Sequence, residues 1–308
     1  VVVAIVPEGL ADLRADVGAA RIFGISRSRV EQAADGGSLL VDGKPVAKSH
    51  RLSAGALVEM TIEDSPPISV HPTLAPGLDI VYDDADIVVV DKPAGVAAHP
   101  SLGWQGPSVV EHLAAAGFVI STTGPPERQG IVSRLDVGTS GLMVVAKTDM
   151  AYVKLKQSFT ARVVHKIYHG MVQGYLRPES STIHGGIAHT KTSQWKMEVS
   201  AQGREAVTHY QVLETVLGAS LVELKLETGR THQIRVHMAY MRHPLVGDLL
   251  YGGDPQLGQR LGLERQWLHA VELGFTHPRS GESMTFTSPY REDLRQALEQ
   301  LRQTPTDD

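Results

Sequence analysis

Hydrophobic positions in the first 62 residues switch between helical and strand spacing. Residues 14–23 mix apolar and charged side chains at helical intervals and predict a helix. Ser26-Arg27-Ser28-Arg29-Val30-Glu31 predicts a second helix start, with Ser28 and Glu31 at capping-box spacing and Ser26 as an alternative cap. Gly36-Gly37 would end that helix. Leu39-Leu40-Val41 and Lys44-Pro45-Val46 flank Asp42-Gly43, a pair that favours a tight hairpin because both positions tolerate positive φ. Residues 57–62 alternate as a strand. After a proline-rich stretch the pattern changes. Residues 87–90 and 142–146 are unbroken apolar runs, as strands buried on both faces are. Residues 165–172, 207–216 and 221–227 read as further strands. Residues 149–162 and 231–241 read as helices, the second capped by Thr231. Many strands with few helices predict an α+β domain built around a large mixed or antiparallel sheet.

Four prolines between Asp64 and Gly77 forbid a continuous helix or central strand there. This divides the chain into a small module (1–65), a linker (66–77) and a large domain (78–308). The length of 308 residues suits two domains at roughly 150 residues each. Cysteine is absent, which excludes a disulfide framework, a Cys-ligated zinc site and a thiol nucleophile. No apolar run approaches the roughly 18 residues a bilayer span needs. Residues 1–6 are too short for a signal-peptide core and no basic residue precedes them. The absent initiator Met suggests a processed or trimmed start. A cytoplasmic monomer without membrane contact is expected.

The net charge of −5 conceals an uneven distribution. Residues 14–51, 134–170 and 225–243 carry +3, +4 and +3, which leaves −15 for the remainder. Three basic windows in an acidic chain could form one phosphate-tracking face. Two constellations stand out. In Ser133-Arg134-Leu135-Asp136-Val137-Gly138-Thr139-Ser140-Gly141, an Arg and a carboxylate sit in a Gly/Ser/Thr-rich loop before a strand. In Leu226-Glu227-Thr228-Gly229-Arg230-Thr231-His232-Gln233-Ile234-Arg235, a strand ends, glycine turns the chain and basic residues open a helix, an arrangement suited to an anion. No dinucleotide or P-loop fingerprint occurs, and His232 and His237 are poorly spaced to share a helix face. No metal is expected. These residues alone do not name a reaction.

Six blocks, in order, resemble the RluA/RluD branch of RNA pseudouridine synthases. They are Asp91-Lys92-Pro93-Ala94-Gly95, Arg134-Leu135-Asp136 with Gly138-Thr139-Ser140-Gly141, Lys166-Ile167-Tyr168, residues 228–235, His243-Pro244-Leu245-Val246-Gly247-Asp248, and Arg265-Gln266 with Leu268-His269-Ala270. The small module resembles an S4-type RNA-binding domain through its Ser-Arg-Ser-Arg helix start, its hairpin and residues 48–51. The resemblance implies a pseudouridine synthase fold preceded by an S4-like module, and isomerisation of uridine without a cofactor. It implies Asp136 as the essential carboxylate, Arg230 as its paired cation, and Tyr168 packed on the target base. Arg134, Lys166, Ile234 and Arg235 would bind substrate, and Arg27, Arg29, Lys48 and Arg51 would hold RNA in the module. One departure is Ser133, where the family often has His. Ribosomal RNA of the large subunit is the expected substrate. Transfer RNA is the close alternative, and a non-catalytic RNA-binding or ribosome-assembly role is a further one.

Overall fold

The computed structural model describes residues 1–25, 27–61, 70–101, 103–125, 128–190 and 193–303, without the side chains of residues 27–29 and 194. It divides into two units, Val1–Pro67 and Ile68–Asp308.

The first unit packs helices α1 (Ala15–Phe23) and α2 (Arg27–Asp35) with a four-stranded sheet. The strands are β1 (Val2–Ile5), β2 (Leu39–Val41), β3 (Lys44–Pro45) and β4 (Leu57–Met60), in the order β1-β4-β2-β3. Asp42 and Gly43 both have positive φ, as the tight β2–β3 hairpin demands. Val6, Ala19, Val30, Leu39, Leu52, Val58 and Met60 form its core. One element is added to the reading and one expectation changes. Residues 2–5 form a strand paired with β4, so this apolar run is part of a sheet. Helix α2 already includes Arg27, which places Ser28 inside the helix rather than at its cap, while Ser26 lies outside the described residues.

The second unit is an α+β layer structure around a nine-stranded sheet. Its strands are β5 (Asp79–Asp83), β6 (Ile87–Lys92), β7 (Ser140–Ala146), β8 (His165–Gln173), β9 (Ser180–His184), β12 (Val207–Val216), β13 (Ala219–Leu226), β14 (Leu268–Thr276) and β15 (Ser283–Thr287). A separate hairpin joins β10 (Ile187–Thr190) and β11 (Ser193–Val199). The order is β5-β6-β7-β14-β8-β13-β12-β9, with β15 beside β14. Among the described strands of this sheet only β7 and β14 pair in parallel, so the sheet is mixed.

The unbroken apolar runs of β6 and β7 serve two cores through their period of two. Val88, Val90, Met143 and Val145 face one cluster with helix α3 (Val109–Ala115). Ile87, Val89, Leu142 and Val144 face another with helix α4 (Asp149–Thr160). Helix α5 (Gln233–Tyr240) sends Ile234 and Met238 into a third cluster with β12 and β13. Helix α6 (Pro255–Arg260) follows, and α7 (Glu292–Gln303) packs Leu294, Ala297, Leu298 and Leu301 around fully buried Trp267. The second half of the expected linker belongs to this unit. Ala75 is buried in the α3 cluster, and its N–H donates to His112 Nδ1 at 2.9 Å. Residues 62–69 lie outside the described residues.

Candidate active site

The loop that carries Asp136 enters β7 where the sheet's one parallel pairing begins. Gly141 has φ of +115°, and a β-carbon there would lie 2.4 Å from the Ala270 carbonyl oxygen on β14. Only glycine fits so close an approach. Leu135 is buried in the α3 cluster, while the next side chain, Asp136, is 20% exposed and faces a cavity of about 990 Å³. The backbone around Asp136 is held from several sides. Thr139 N–H donates to Asp136 O at 3.0 Å, and Gly95 N–H donates to Val137 O at 2.9 Å.

Lys92 ends β6 completely buried beneath this loop. Its ammonium donates to the carbonyls of Val96 at 2.7 Å, Pro93 at 3.0 Å and Val137 at 3.3 Å. Burial pushes its pKa down to about 7, against an opposing pull from the Asp136 charge. A second buried network anchors the start of β7. Ser140 Oγ lies 2.8 Å from His269 Nδ1, His269 Nε2 lies 3.0 Å from Ser288 Oγ, and Ser288 donates to Asp91 Oδ2 at 2.6 Å. Desolvation drives the His269 pKa down to about 4, so the ring is neutral there.

The cation beside Asp136 is Arg235. Its Nη1 lies 3.4 Å from Asp136 Oδ2. Its Nε and Nη2 form a two-pronged pair with Asp248 at 2.7 and 2.8 Å, and its guanidinium stacks 4.9 Å from the Tyr251 ring centre. Burial works against the Arg235 charge, but the bonds and charges of Asp248 and Asp136 raise its pKa overall. Two oriented bonds to Asp248 fix the guanidinium plane, so the third nitrogen has one direction in which to point.

Arg230, expected to be that cation, lines the same cavity but turns elsewhere. Its Nε donates to the Glu205 carbonyl at 2.9 Å. The reason is local. His232 adopts φ of +56°, a left-handed turn that separates residue 230 from the helix carrying residue 235. Thr231 is therefore not the cap of α5; His232 is, without a side-chain cap bond. Gln233 organises the turn instead. Its Oε1 accepts from Arg230 N–H at 3.0 Å and from Thr228 Oγ1 at 2.8 Å.

His232 also approaches Asp136, with Nε2 at 3.9 Å from Oδ2. Met197 N–H donates to the Tyr251 hydroxyl at 3.0 Å, and that hydroxyl lies 2.8 Å from His232 Nδ1. With the hydroxyl proton turned toward Nδ1, the ring proton would sit on Nε2, the nitrogen facing the carboxylate. Burial pushes the His232 pKa down, so a neutral imidazole sits there.

Tyr168 on β8 stands between Leu224 of β13 and Ala270 of β14 and lines the cavity with Asp136. Burial raises its hydroxyl pKa far above the ordinary value, and the Asp136 charge adds to this. It is a neutral aromatic wall at working pH. Ile234 is buried and lines the same cavity. Lys166 does too, its pKa lowered by burial, with its ammonium 5.9 Å from the Phe159 ring centre. Arg134 is exposed and donates to the Thr231 hydroxyl across the cavity mouth. The cavity lining contains eight Lys or Arg side chains against three carboxylates, so its mouth favours a polyanion. In the first unit, Lys48 pairs with Asp35 at 3.1 Å and Arg51 bonds the Asp12 carbonyl at 2.6 Å, both exposed. The Arg27 and Arg29 side chains are outside the described residues.

Sequence reasoning had quoted Lys92 and Asp248 without giving them roles, and it overlooked Tyr251 and His232 as partners of the site. Their signal was their presence in the motif blocks or just beside them. A different cluster brings Asp84, Asp86 and His277 together. Arg279 Nη2 binds Asp86 at 2.7 Å, and His277 Nδ1 accepts from Ser280 N–H at 3.1 Å. That leaves the ring proton on Nε2, 2.9 Å from Asp84. A metal would have to displace both Arg279 and this proton, so the donor set fits a structural staple.

Comparison with known proteins agrees with this geometry. Residues 86–240 match the family model described as RNA pseudouridylate synthase. An uncharacterized RNA pseudouridine synthase of Mycobacterium bovis is 51% identical over 298 residues, covering 96% of this chain and 97% of the relative. Ribosomal large subunit pseudouridine synthase D of Neisseria meningitidis is 40% identical, covering 96% of this chain and 81% of the relative. Its counterpart in Xanthomonas campestris is 37% identical, covering 97% and 92%. Among solved structures, human RNA pseudouridylate synthase domain containing 1 superposes with a TM-score of 0.57 at 28% identity, covering 77% of this chain and all of that one. A buried arginine aiming at a loop carboxylate in a cationic cavity, on a chain so matched, places this protein in the RNA pseudouridine synthase family, enzymes that isomerise uridine within RNA.

Proposed function

We propose that the chain converts a uridine of large-subunit ribosomal RNA to pseudouridine, with Asp136 as the reacting carboxylate. The observation that carries this reading is the Asp136–Arg235 contact at 3.4 Å inside a cavity walled by Tyr168. The ribosomal target rests on the printed names of the relatives from Neisseria and Xanthomonas. In the reaction the C1′–N1 bond breaks, a C1′–C5 bond forms, the C5 proton leaves and N1 gains one. An ionised carboxylate supports either entry to this sequence, adding to C1′ as nucleophile or taking the C2′ proton as base. Arg235 keeps the carboxylate charged and directed. Tyr168 offers its ring face to the extruded base, a stack worth on the order of 1–3 kcal/mol. That gain offsets part of the few kcal/mol that flipping costs. Arg134 and Lys166 at the mouth would take adjoining phosphates.

The first unit is read as an S4-like RNA-binding module. Exposed pairs such as Lys48–Asp35 are worth about 0–1 kcal/mol, so a phosphate could displace the carboxylate at little cost. The deciding experiment maps pseudouridines in ribosomal and transfer RNA from a strain lacking this chain, then rescues with wild type or Asp136→Asn. The expected outcome is loss of a large-subunit site, restored by wild type alone. Loss confined to transfer RNA would move the substrate, and full rescue by Asp136→Asn would remove the carboxylate from its role.

A further inference from the structure

The carboxylate loop is gripped by three side chains from two distant parts of the chain, and one of these parts lies outside the segment that defines the family match. Lys92 holds Val137 O at 3.3 Å, and Gln266 Nε2 donates to Thr139 Oγ1 at 3.0 Å. Between them Arg265 Nη1 donates to Gly138 O at 3.2 Å. Arg265 is buried, and its other two nitrogens form a two-pronged pair with Asp293 at 2.7 and 2.9 Å. Asp293 sits in the first turn of α7. Burial opposes its charge, but the bonds from Arg265 and the helix-start N–H groups lower its pKa overall. The match to the family model ends at residue 240, so both residues lie beyond it.

We propose that Arg265, braced by Asp293, is a positioning residue for the reaction: it fixes the Gly138 carbonyl and thereby the turn that presents Asp136. The geometry gives the reason. Asp136 and Thr139 close that turn through one backbone bond, and Gly138 is its only carbonyl held by a guanidinium among the described residues. The guanidinium cannot drift, because the Asp293 pair sets its plane. A β-carbon at Gly138 would lie 2.5 Å from Gln266 Oε1, so a side chain there would have to push the Gln266 amide aside. The neighbouring residue is thus packed directly on the turn. Displacing a reacting group by about 1 Å can cost on the order of 100-fold in rate. The role rests on Asp136 being the reacting carboxylate.

The test measures steady-state pseudouridine formation by the full-length protein on ribosomal RNA isolated from a strain lacking it. Variants are Arg265→Met, Arg265→Lys, Asp293→Asn, Asp136→Asn and, as a packing control, Leu298→Ala. Arg265→Met should lower kcat by about 10- to 100-fold with KM within about threefold of wild type. Arg265→Lys keeps the charge but cannot span Asp293 and Gly138 together, so its rate should be intermediate. Leu298→Ala should lower the melting temperature yet leave kcat unchanged below it. If Arg265→Met does not fold, Asp293→Asn should show the same fall in kcat at constant KM. Arg265→Met within twofold of wild type, or a kcat loss matched by Leu298→Ala at equal melting temperature, overturns the proposal. So does fully active Asp293→Asn where Arg265→Met is unfolded. An active Asp136→Asn would instead overturn the site reading beneath it.

Discussion

Arg235 is shared by three neighbours, and their competition sets what its loss should do. Asp248 takes two of its nitrogens and is only 1% exposed, while Asp136 and the Tyr251 ring take the rest. Arg235→Met would strand a buried carboxylate, an event that costs roughly 3–5 kcal/mol. We expect a large fall in urea midpoint together with loss of pseudouridine formation. Arg230→Met breaks one bond to a backbone carbonyl at the cavity wall, worth about 1 kcal/mol. It should chiefly raise KM. Parallel denaturation and kinetics on the two variants check this, and the reverse ranking would return the paired-cation role to Arg230. Lys92 gives a pH prediction. Its folded pKa of about 7 lies below the unfolded value of 10.5, so the unfolded chain binds more protons between them. Stability from this group therefore rises with pH across that window, by up to about 1.4 kcal/mol per unit, and is at its lowest below pH 7. Urea titrations of wild type and Lys92→Met from pH 6 to 10 should show the difference between them growing in favour of wild type. A difference that is flat with pH would mean that the ammonium stays charged in its carbonyl cage.

At the level of elements, the parallel β7–β14 junction is the tightest point behind the site. Gly141→Ala would place a methyl 2.4 Å from the Ala270 carbonyl at a φ that side chains rarely adopt. Steric overlap and backbone strain together should cost more than about 2 kcal/mol. The expected result is a lower melting temperature with RNA binding retained; an unchanged melting temperature would mean the two strands separate easily. The junction also shows what could be read in advance. The runs of β6 and β7 were legible because both faces are covered and every position is apolar. The Asp42-Gly43 hairpin was legible because few dipeptides accept two positive φ values. The start of α5 was not. Nothing in Thr231-His232-Gln233 announces a histidine in the left-handed region with a glutamine tying the turn together. Once that turn is misplaced, residues 230 and 235 exchange directions, which is why Arg230 was expected beside Asp136 where the structure places Arg235. The same limit hid β1, whose short apolar run becomes a strand only through its pairing with β4.

On the scale of the whole molecule, two units with separate cores share one acidic chain whose positive charge is concentrated in three windows. Residues 68–308 contain the nine-stranded sheet and, among the described residues, the cavity lining that includes Asp136. Their clusters are built from their own residues, so removal of residues 1–67 should leave a folded unit. If the first unit holds RNA through phosphates, that shorter chain should turn over bound substrate at the full rate while binding it more weakly. The loss should also have a salt signature. Each phosphate contact removed lowers the slope of log affinity against log salt by roughly 0.7–0.9. Two cations such as Lys48 and Arg51 would thus reduce the slope by about 1.5, whereas loss of purely apolar contacts would shift affinity at every salt concentration without changing it. Titrating ribosomal RNA against the full and shortened chains at several salt concentrations separates these cases. An unchanged slope with unchanged affinity would mean that the cavity mouth alone supplies the electrostatic attraction, and that the first unit serves something other than RNA.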